Sequence, residues 1–581
     1  MNITKHPKAA GIAAAIILGL IVATGSSKGI VTGFSRLYMI GMATGCGFGL
    51  GWFLSPKASA VRRVIGYAVG ALLLFIAFAG PKAMGWSVAI VLAVVGFCMG
   101  LGYWLGKGAR GFFQKPVTFG SAEWATEDYL REHHIIGDKG IRLGGFPGKD
   151  GIIPIHYEGD RHLLTIAPTR AGKGTTLIIP NLLTYRGSTM VIDPKGENAM
   201  ITAGQRRAMG QDVHIVDPWG IASGAGEASR FNPLDWLVMG DPDITENSML
   251  LADALVVPDG KGDSFWTEEA KALLQGLILY VATDDYEARH RHLGRVRDLL
   301  LLDGEDLPQL FRRMTQSMHH VVASTGARCL QKDEKLLASV LASAQAQTHF
   351  LDSSRIRSSL RASDFKFEDL KAEKMTIYLV LPADRLNAFG RWLRLLIQQA
   401  ITVNARNIDI QPDKPVLFIL DEMPALGRLS MVEQAYGLMA GFGMQLWGIV
   451  QDTAQLKKIY GESWSSFVAN SGCVTYAGSR DKESAEYFSA LCGVTTVWTI
   501  TNAIASSFGS SGNSSNSSTS NTTTTAVAQR KLAYPDELMR LHSARALVLI
   551  ENLHPIQGVK QAWFTDDTLK TLGVNLREAN K

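Results

Sequence analysis

No aspartate or glutamate occurs in the first 122 residues of this 581-residue chain, although eleven lysines and arginines do. Charge is scarce altogether: Asp, Glu, Lys and Arg make up 19% of the chain, against about 25% in ordinary soluble domains. A uniformly soluble enzyme fits neither shortage. Cysteine is scarce too, with five residues (Cys46, Cys98, Cys329, Cys473 and Cys492) and no C-x-x-C or metal-like spacing. This excludes a disulfide scaffold and points to buried thiols in a reducing compartment. The formal net charge of +5 belongs to the N-terminal part alone. Beyond residue 122 the balance is 47 basic against 53 acidic groups. A DNA-coating surface is therefore unsupported, and any nucleic-acid contact must be a local patch.

Apolar stretches do occur, over about 10–25, 37–54, 64–80 and 85–106. Each approaches or meets the roughly 17–25 residues that cross a bilayer, which predicts a transmembrane domain of four helices over 1–107. Lys5 and Lys8 give the first stretch the look of a signal peptide, but three more follow, so a retained anchor is expected. Small residues recur, as in Gly45, Gly47, Gly49, Gly51 and Gly96, Gly100, Gly102, Gly106, a spacing suited to close helix packing. A cytoplasmic N-terminus places eight basic residues inside and leaves Lys28, Arg36 and Lys82 outside. Both termini are then cytoplasmic, and the external loops are too short for a periplasmic domain.

The rest of the chain predicts an α/β fold. Short apolar runs at His162–Ala167, Thr189–Asp193, Val213–Asp217, Thr376–Leu381, Val416–Asp421, Gln445–Gln451, Val474–Ala477 and Ala546–Glu551 read as buried strands of a mostly parallel sheet. Helix-like patterns at Glu269–Val281, Leu293–Leu302 and Lys335–Ala346 interrupt them. The expected division is a nucleotide-binding domain in two parts, 108–239 and 371–581, around an all-helical insertion at 240–370. Residues 506–525 are Ser/Thr/Asn-rich, and no charge occurs from Tyr487 to Gln529. Such a composition predicts a mobile loop, or one that orders on a transport partner or a neighbouring subunit.

The chemistry concentrates in HLLTIAPTRAGKGTT. Thr169, Arg170, Ala171, Gly172, Lys173, Gly174, Thr175 and Thr176 fall between a strand and a helix-like run, the place of a phosphate-binding loop. Backbone N–H groups there hold phosphate oxygens, Gly172 permits close approach, and Lys173 neutralises charge. The spelling departs from GxxxxGK[ST] twice. Ala167 replaces the first glycine, and Gly174 stands where the Mg²⁺-binding hydroxyl normally follows the lysine. Thr175 or Thr176 must supply that hydroxyl, or water fills the position. In PVLFILDEMPALGR an apolar run ends in Asp421 and Glu422. Asp421 is the candidate Mg²⁺ ligand, and Glu422 the candidate base for the attacking water. QLWGIVQD ends a further strand at Gln451, whose amide can sense the γ-phosphate or the water. ATP and Mg²⁺ are the expected cofactors.

In these strings the chain resembles the coupling ATPases of type IV secretion and conjugation, the TraG/VirD-like group. The matching segments are APTRAGKGTTLIIPNLLTYRGSTMVIDPKGEN (167–198), RFNPLDW (230–236), FWTEEAKALLQGLILYV (265–281), FILDEMPALGR (418–428), GMQLWGIVQDTAQLKKIYG (443–461) and RKLAYPDELMRL (530–541). The family's own loop carries the same GKG variant. The resemblance implies a RecA-like ATPase on the bacterial inner membrane that assembles as a homohexamer. It would receive single-stranded DNA with its relaxase, or protein effectors, and pass them to the inner-membrane components of the secretion channel. Asp193, Lys195 and Glu197 match the family's DPKGE string, as positioning groups or as strand-end packing.

A RecA-like ring implies an arginine acting across subunits. Arg428 and Arg480 are the candidates, and Arg480 is favoured because it follows a strand end in GSRDKES; an ion pair with Asp481 or Glu483 is the alternative. Cargo recognition is expected in the insertion, where Arg312, Arg313, His319, His320, Lys332 and Lys335 supply polar surface. The runner-up is a membrane-tethered double-stranded DNA translocase of the chromosome-segregating type. Such proteins carry a long linker and a winged-helix reader, and the sequence shows neither.

Overall fold

The computed structural model describes residues 32–54, 94–105, 118–137, 139–149, 151–257, 264–511 and 514–579. The chain divides into two compact units: Met1–Phe119 with Thr496–Gln529, and Gly120–Thr495 with Arg530–Lys581. The segment Thr496–Gln529 belongs to the first of these units.

In the N-terminal unit, the helix Thr32–Leu54 coincides with the second apolar stretch. It packs against the helix at 94–105 through glycine. A Cβ at Gly47, Gly51 or Gly102 would run into the facing helix's backbone, whereas Gly45, Gly49, Gly96 and Gly100 look onto open space. The small residues thus set a close helix–helix approach. Among the described residues no helix is long and apolar enough to cross a membrane. The stretches at 10–25 and 64–80 lie outside the described residues.

Residues 506–511 and 514–525, expected as part of a mobile loop, instead lie within two paired strands, β10 (Val494–Ser511) and β11 (Ser514–Lys531). The threonines at 519 and 522–525 suit a pleated ribbon. Lack of charge and of a core is not lack of structure when two strands satisfy each other's backbone.

In the second unit an eleven-stranded sheet runs β2-β1-β13-β12-β9-β3-β8-β7-β4-β6-β5. Its strands are β1 (Ile141–Gly148), β2 (Gly151–Tyr157), β3 (His162–Ile166), β4 (Thr189–Asp193), β5 (Asp212–Val216), β6 (Met375–Val380), β7 (Val416–Leu420), β8 (Met444–Val450), β9 (Ser471–Tyr476), β12 (Arg545–Ile550) and β13 (Ile556–Val559). The seven from β9 to β5 are parallel, and the remaining four pair antiparallel at one side. The fold is α/β with a parallel-dominated sheet. Except for β5 at the sheet edge, the strands of the parallel part are buried along their whole length, every residue of β7 and β8 included.

Between the neighbouring strands β5 and β6 the chain leaves the sheet, forming helices that include Ile244–Leu255, Ser264–Thr283 and Glu334–Thr348. It contributes no strand there among the described residues. This excursion shares the large core with the sheet: Leu273, Leu277 and Val296 lie in one buried cluster with Leu379 and Phe418.

Candidate nucleotide-binding site

Parallel strands bring their C-terminal ends to one edge, and register decides which residues meet there. Ile166 of β3 lies level with Val450 of β8 and Tyr476 of β9. On the far side of β8, Leu420 of β7 pairs with Gly448. The loop after β3, the acids after β7 and the glutamine after β8 therefore emerge side by side.

The loop after β3 folds on itself. Arg170 and Gly172 both take positive φ, 64° and 85°. Glycine holds this conformation without strain, whereas arginine pays for it in backbone energy. The carbonyl of Gly172 accepts the Thr176 N–H at 2.9 Å and the hydroxyls of Thr175 and Thr176 at 3.1 and 2.9 Å. Lys173 then opens a single π turn, Gly174–Ile178, an uncommon element found often at functional sites. Both candidate Mg²⁺ hydroxyls sit within one turn of Lys173, and here both serve the loop. Thr169 and Arg170 are exposed.

Lys173 reaches across to the acids. Its Nζ lies 3.0 Å from Asp421 Oδ1 and 3.2 Å from Glu422 Oε2. Burial opposes its charge, but the two carboxylates prevail and hold its pKa above the ordinary lysine value. Asp421 is raised by burial, against the pull of Lys173. Its Oδ1 is held by the Lys173 ammonium and by no other group among the described residues. A buried carboxylate oxygen whose one partner is an exchangeable ammonium is a hard donor of the kind Mg²⁺ takes. Among the described residues no cluster of three or more His, Cys, Asp or Glu could hold a metal by itself. The acids would therefore share the ion with phosphate oxygens and water.

Glu422 has φ 65°, strained for a glutamate, and begins the 3-10 turn Met423–Leu426. Gln451 Nε2 donates to Glu422 Oε1 at 2.9 Å, and its own N–H donates to Gln455 Oε1 at 2.9 Å. Lys173, Asp421, Glu422 and Gln451 thus form one connected group. On the other side of β7, the register Val191↔Ile419 carries Asp193 alongside Asp421. Asp193 accepts from Ala199 N–H at 2.9 Å and Lys195 N–H at 3.3 Å. Burial nonetheless lifts its pKa to about 7.

Other candidates stand apart. Arg480 is exposed beyond β9 and forms no ion pair among the described residues. Its two suggested partners are engaged elsewhere: Asp481 accepts from Ser484 N–H at 2.8 Å, and Glu483 pairs with Lys457 at 2.8 Å. Arg428 faces Glu433 at 3.5 Å. In the helical excursion, Lys332 pairs with Glu269 at 2.9 Å and His319 caps a helix. Those two are structural, which narrows the polar surface to the other four residues.

Sequence reasoning missed Lys560. It follows β13, and its Nζ donates to the Ala171 carbonyl at 3.0 Å. Burial lowers its pKa. With the partners 389 positions apart, no local spacing signals the contact.

A lysine at the mouth of a strand–loop–helix turn, two acids on a near strand and a glutamine between them define a P-loop nucleotide-binding protein. Residues 118–581 match the model of the family described as type IV secretory system conjugative DNA transfer. The chain belongs to this family, that of the type IV coupling proteins. It is 30% identical over 462 residues to the conjugal transfer protein TraG of Escherichia coli, covering 73% of this chain and 71% of that one. To VirD4 of Agrobacterium fabrum it is 26% identical, over 79% of this chain and 68% of the other. Among solved structures it is similar to the plasmid coupling protein TrwB in complex with ADP and Mg²⁺. The TM-score there is 0.57 at 16% identity, over 77% of this chain and 96% of that one. A second TrwB structure, with the non-hydrolysable ATP analogue ADPNP, gives 0.56 at 16% identity over 78% and 96%.

Proposed function

We propose that this coupling protein hydrolyses ATP with Mg²⁺ to drive transfer of single-stranded DNA with its relaxase, or of effector proteins, into a type IV secretion channel. The observation that carries the reading is the connected group Lys173–Asp421–Glu422–Gln451 at one sheet edge.

The chemistry follows from which contacts must exchange. A nucleotide's phosphates compete for Lys173, which leaves the carboxylates for the phosphate loop side and frees Asp421 Oδ1. Backbone N–H groups from Gly172 to Thr175 cradle the phosphates. Asp421 and the hydroxyl of Thr175 or Thr176 would hold Mg²⁺, whose charge offsets that of the phosphates. Glu422, relieved of Lys173, takes the proton of the attacking water, and Gln451 keeps its carboxylate aimed. A second subunit supplies the remaining cation. Arg480 is the better candidate because it has no ion pair among the described residues, while Arg428 is held by Glu433. This fits assembly as a RecA-like homohexamer around the nucleotide. Anchorage in the bacterial inner membrane by four spans, with both termini cytoplasmic and the helical excursion presented to cargo, completes the reading.

The test pairs a biochemical and a cellular measurement. The full chain should hydrolyse ATP only with Mg²⁺, and donor cells carrying Lys173→Ala should lose transfer at unchanged protein level. Normal transfer by that strain would reject the proposal. Mixed rings of Arg480→Ala and Lys173→Ala subunits should regain turnover, because each supplies what the other lacks. Recovery in Arg428→Ala mixtures alone would move the role to Arg428.

A further inference from the structure

Glu422 holds a strained backbone conformation, and such strain persists only when the surroundings over-determine it. The turn that follows it, Met423–Leu426, is seated on the long helix Leu386–Arg406. Two residues one turn apart on that helix form the seat. At Gly390 the backbones approach so closely that an added Cβ would lie 2.6 Å from the Ala425 carbonyl oxygen. At Arg394 the guanidinium donates to the carbonyls of Leu426, at 3.3 Å, and Arg428. The same guanidinium donates through Nε to the Ala254 carbonyl at 2.9 Å.

Ala254 belongs to the last turn of the helix Ile244–Leu255, the first long helix of the excursion between β5 and β6. Carbonyls of a last turn lack partners within their own helix, and the negative end of the helix dipole favours a cation there. Arg394 is 3% exposed, and among the described residues no carboxylate pairs with it; the nearest acid in sequence to Ala254, Asp253, is held by Lys271 at 2.8 Å. A buried guanidinium satisfied by carbonyls alone is costly unless all of them stay in place. Losing either segment strands the charge.

We infer that Arg394 is a positioning residue for Glu422: its guanidinium fixes the turn after the acid pair and locks that turn to the end of the helix Ile244–Leu255. The placement of the acid that activates water is thereby set from the helical excursion, 167 residues earlier in the chain than the acid itself by the numbering of Leu255 and Glu422. The inference rests on the proposed hydrolysis for its kinetic arm only.

The experiment uses the full chain with Arg394→Met and Arg394→Lys, read by hydrogen exchange and by kinetics. The amides of Ala425 and Gly427, bonded within the turn, and of Val256, bonded to Ala252, should all exchange faster in Arg394→Met, while those of β3 and β7 stay protected. Turnover should fall about tenfold or more with nucleotide affinity within about twofold. Lysine, which cannot span three carbonyls, should give an intermediate result in both readouts. Faster exchange at only one of the two segments would overturn the coupling. Unchanged turnover, or affinity falling in step with it, would overturn the positioning role. If Arg394→Met loses protection throughout, Gly390→Ala decides instead: it leaves the guanidinium intact but pushes the turn, so turnover alone should drop. A wild-type chain without ATP hydrolysis would refute the proposed function, and the exchange arm would still decide the coupling.

Discussion

The phosphate loop and the acid turn leave neighbouring regions of one sheet edge, and both carry a strained residue, Arg170 at φ 64° and Glu422 at φ 65°. They differ in what holds them. The phosphate loop is held mainly by itself, through three hydrogen bonds onto the Gly172 carbonyl from residues within four positions. The acid turn is held by a distant helix, through Gly390 and Arg394. A self-held loop is a portable motif that can meet a ligand without consulting the rest of the molecule. A turn held from elsewhere can be moved from elsewhere.

The largest effects should separate the two regions by step. Lys173→Ala should weaken nucleotide binding at least about tenfold, whereas Glu422→Gln should bind normally and lose about 10²–10⁴-fold in turnover. Equilibrium titration with a fluorescent nucleotide, beside a phosphate-release assay, reads both. Equal losses of binding in the two variants would erase the distinction.

Gly427 sharpens it next. It closes the acid turn at φ 63°, ψ −162°, a region nearly confined to glycine, so Gly427→Ala should cost about 1–3 kcal/mol. Space is not the obstacle, since the nearest atom to an added Cβ is Val257 Cγ1 at 3.9 Å. Denaturant unfolding should show the loss, with nucleotide affinity preserved.

Lys560 is a long-range tether on the backbone of the phosphate loop. Lys560→Met should weaken nucleotide binding several-fold while leaving exchange at Ala425 and Gly427 untouched, and Lys560→Arg should restore most of it. Loosening of the acid turn in Lys560→Met would show that the two regions are not separately held.

The smallest effect concerns Asp193, whose folded-state pKa is raised by burial to about 7. The cost of burying its charge is absent below the ordinary carboxyl range, grows as pH rises, and is full above about 7. Asp193→Asn should therefore gain stability relative to wild type between pH 5.5 and pH 8, measured by denaturant midpoints. A difference independent of pH would place the ionisation elsewhere.

Much of the site was legible in the sequence because its parts are local. Asp421, Glu422 and Gln451 follow directly on apolar runs of β-branched and large residues and Lys173 lies in the loop after another, and such runs become buried parallel strands whose ends share an edge. The eight expected strands all formed, shifted by a few residues at most. The ribbon at 494–531 was not legible. Its composition has no core signature, and pairing between its two strands supplies what composition did not announce.

By itself the sequence determined the candidates for the site, since phosphate, Mg²⁺ and water each call for particular side chains at or just beyond strand ends, and strand ends are written in short-range hydrophobic patterning. Tertiary structure alone decided that Lys173 would touch both acids, that Lys560 would reach the phosphate loop, and that Arg394 would seat the turn after Glu422. Those contacts join residues tens to hundreds of positions apart. They depend on strand order, register and helix packing, and short-range patterning fixes none of these.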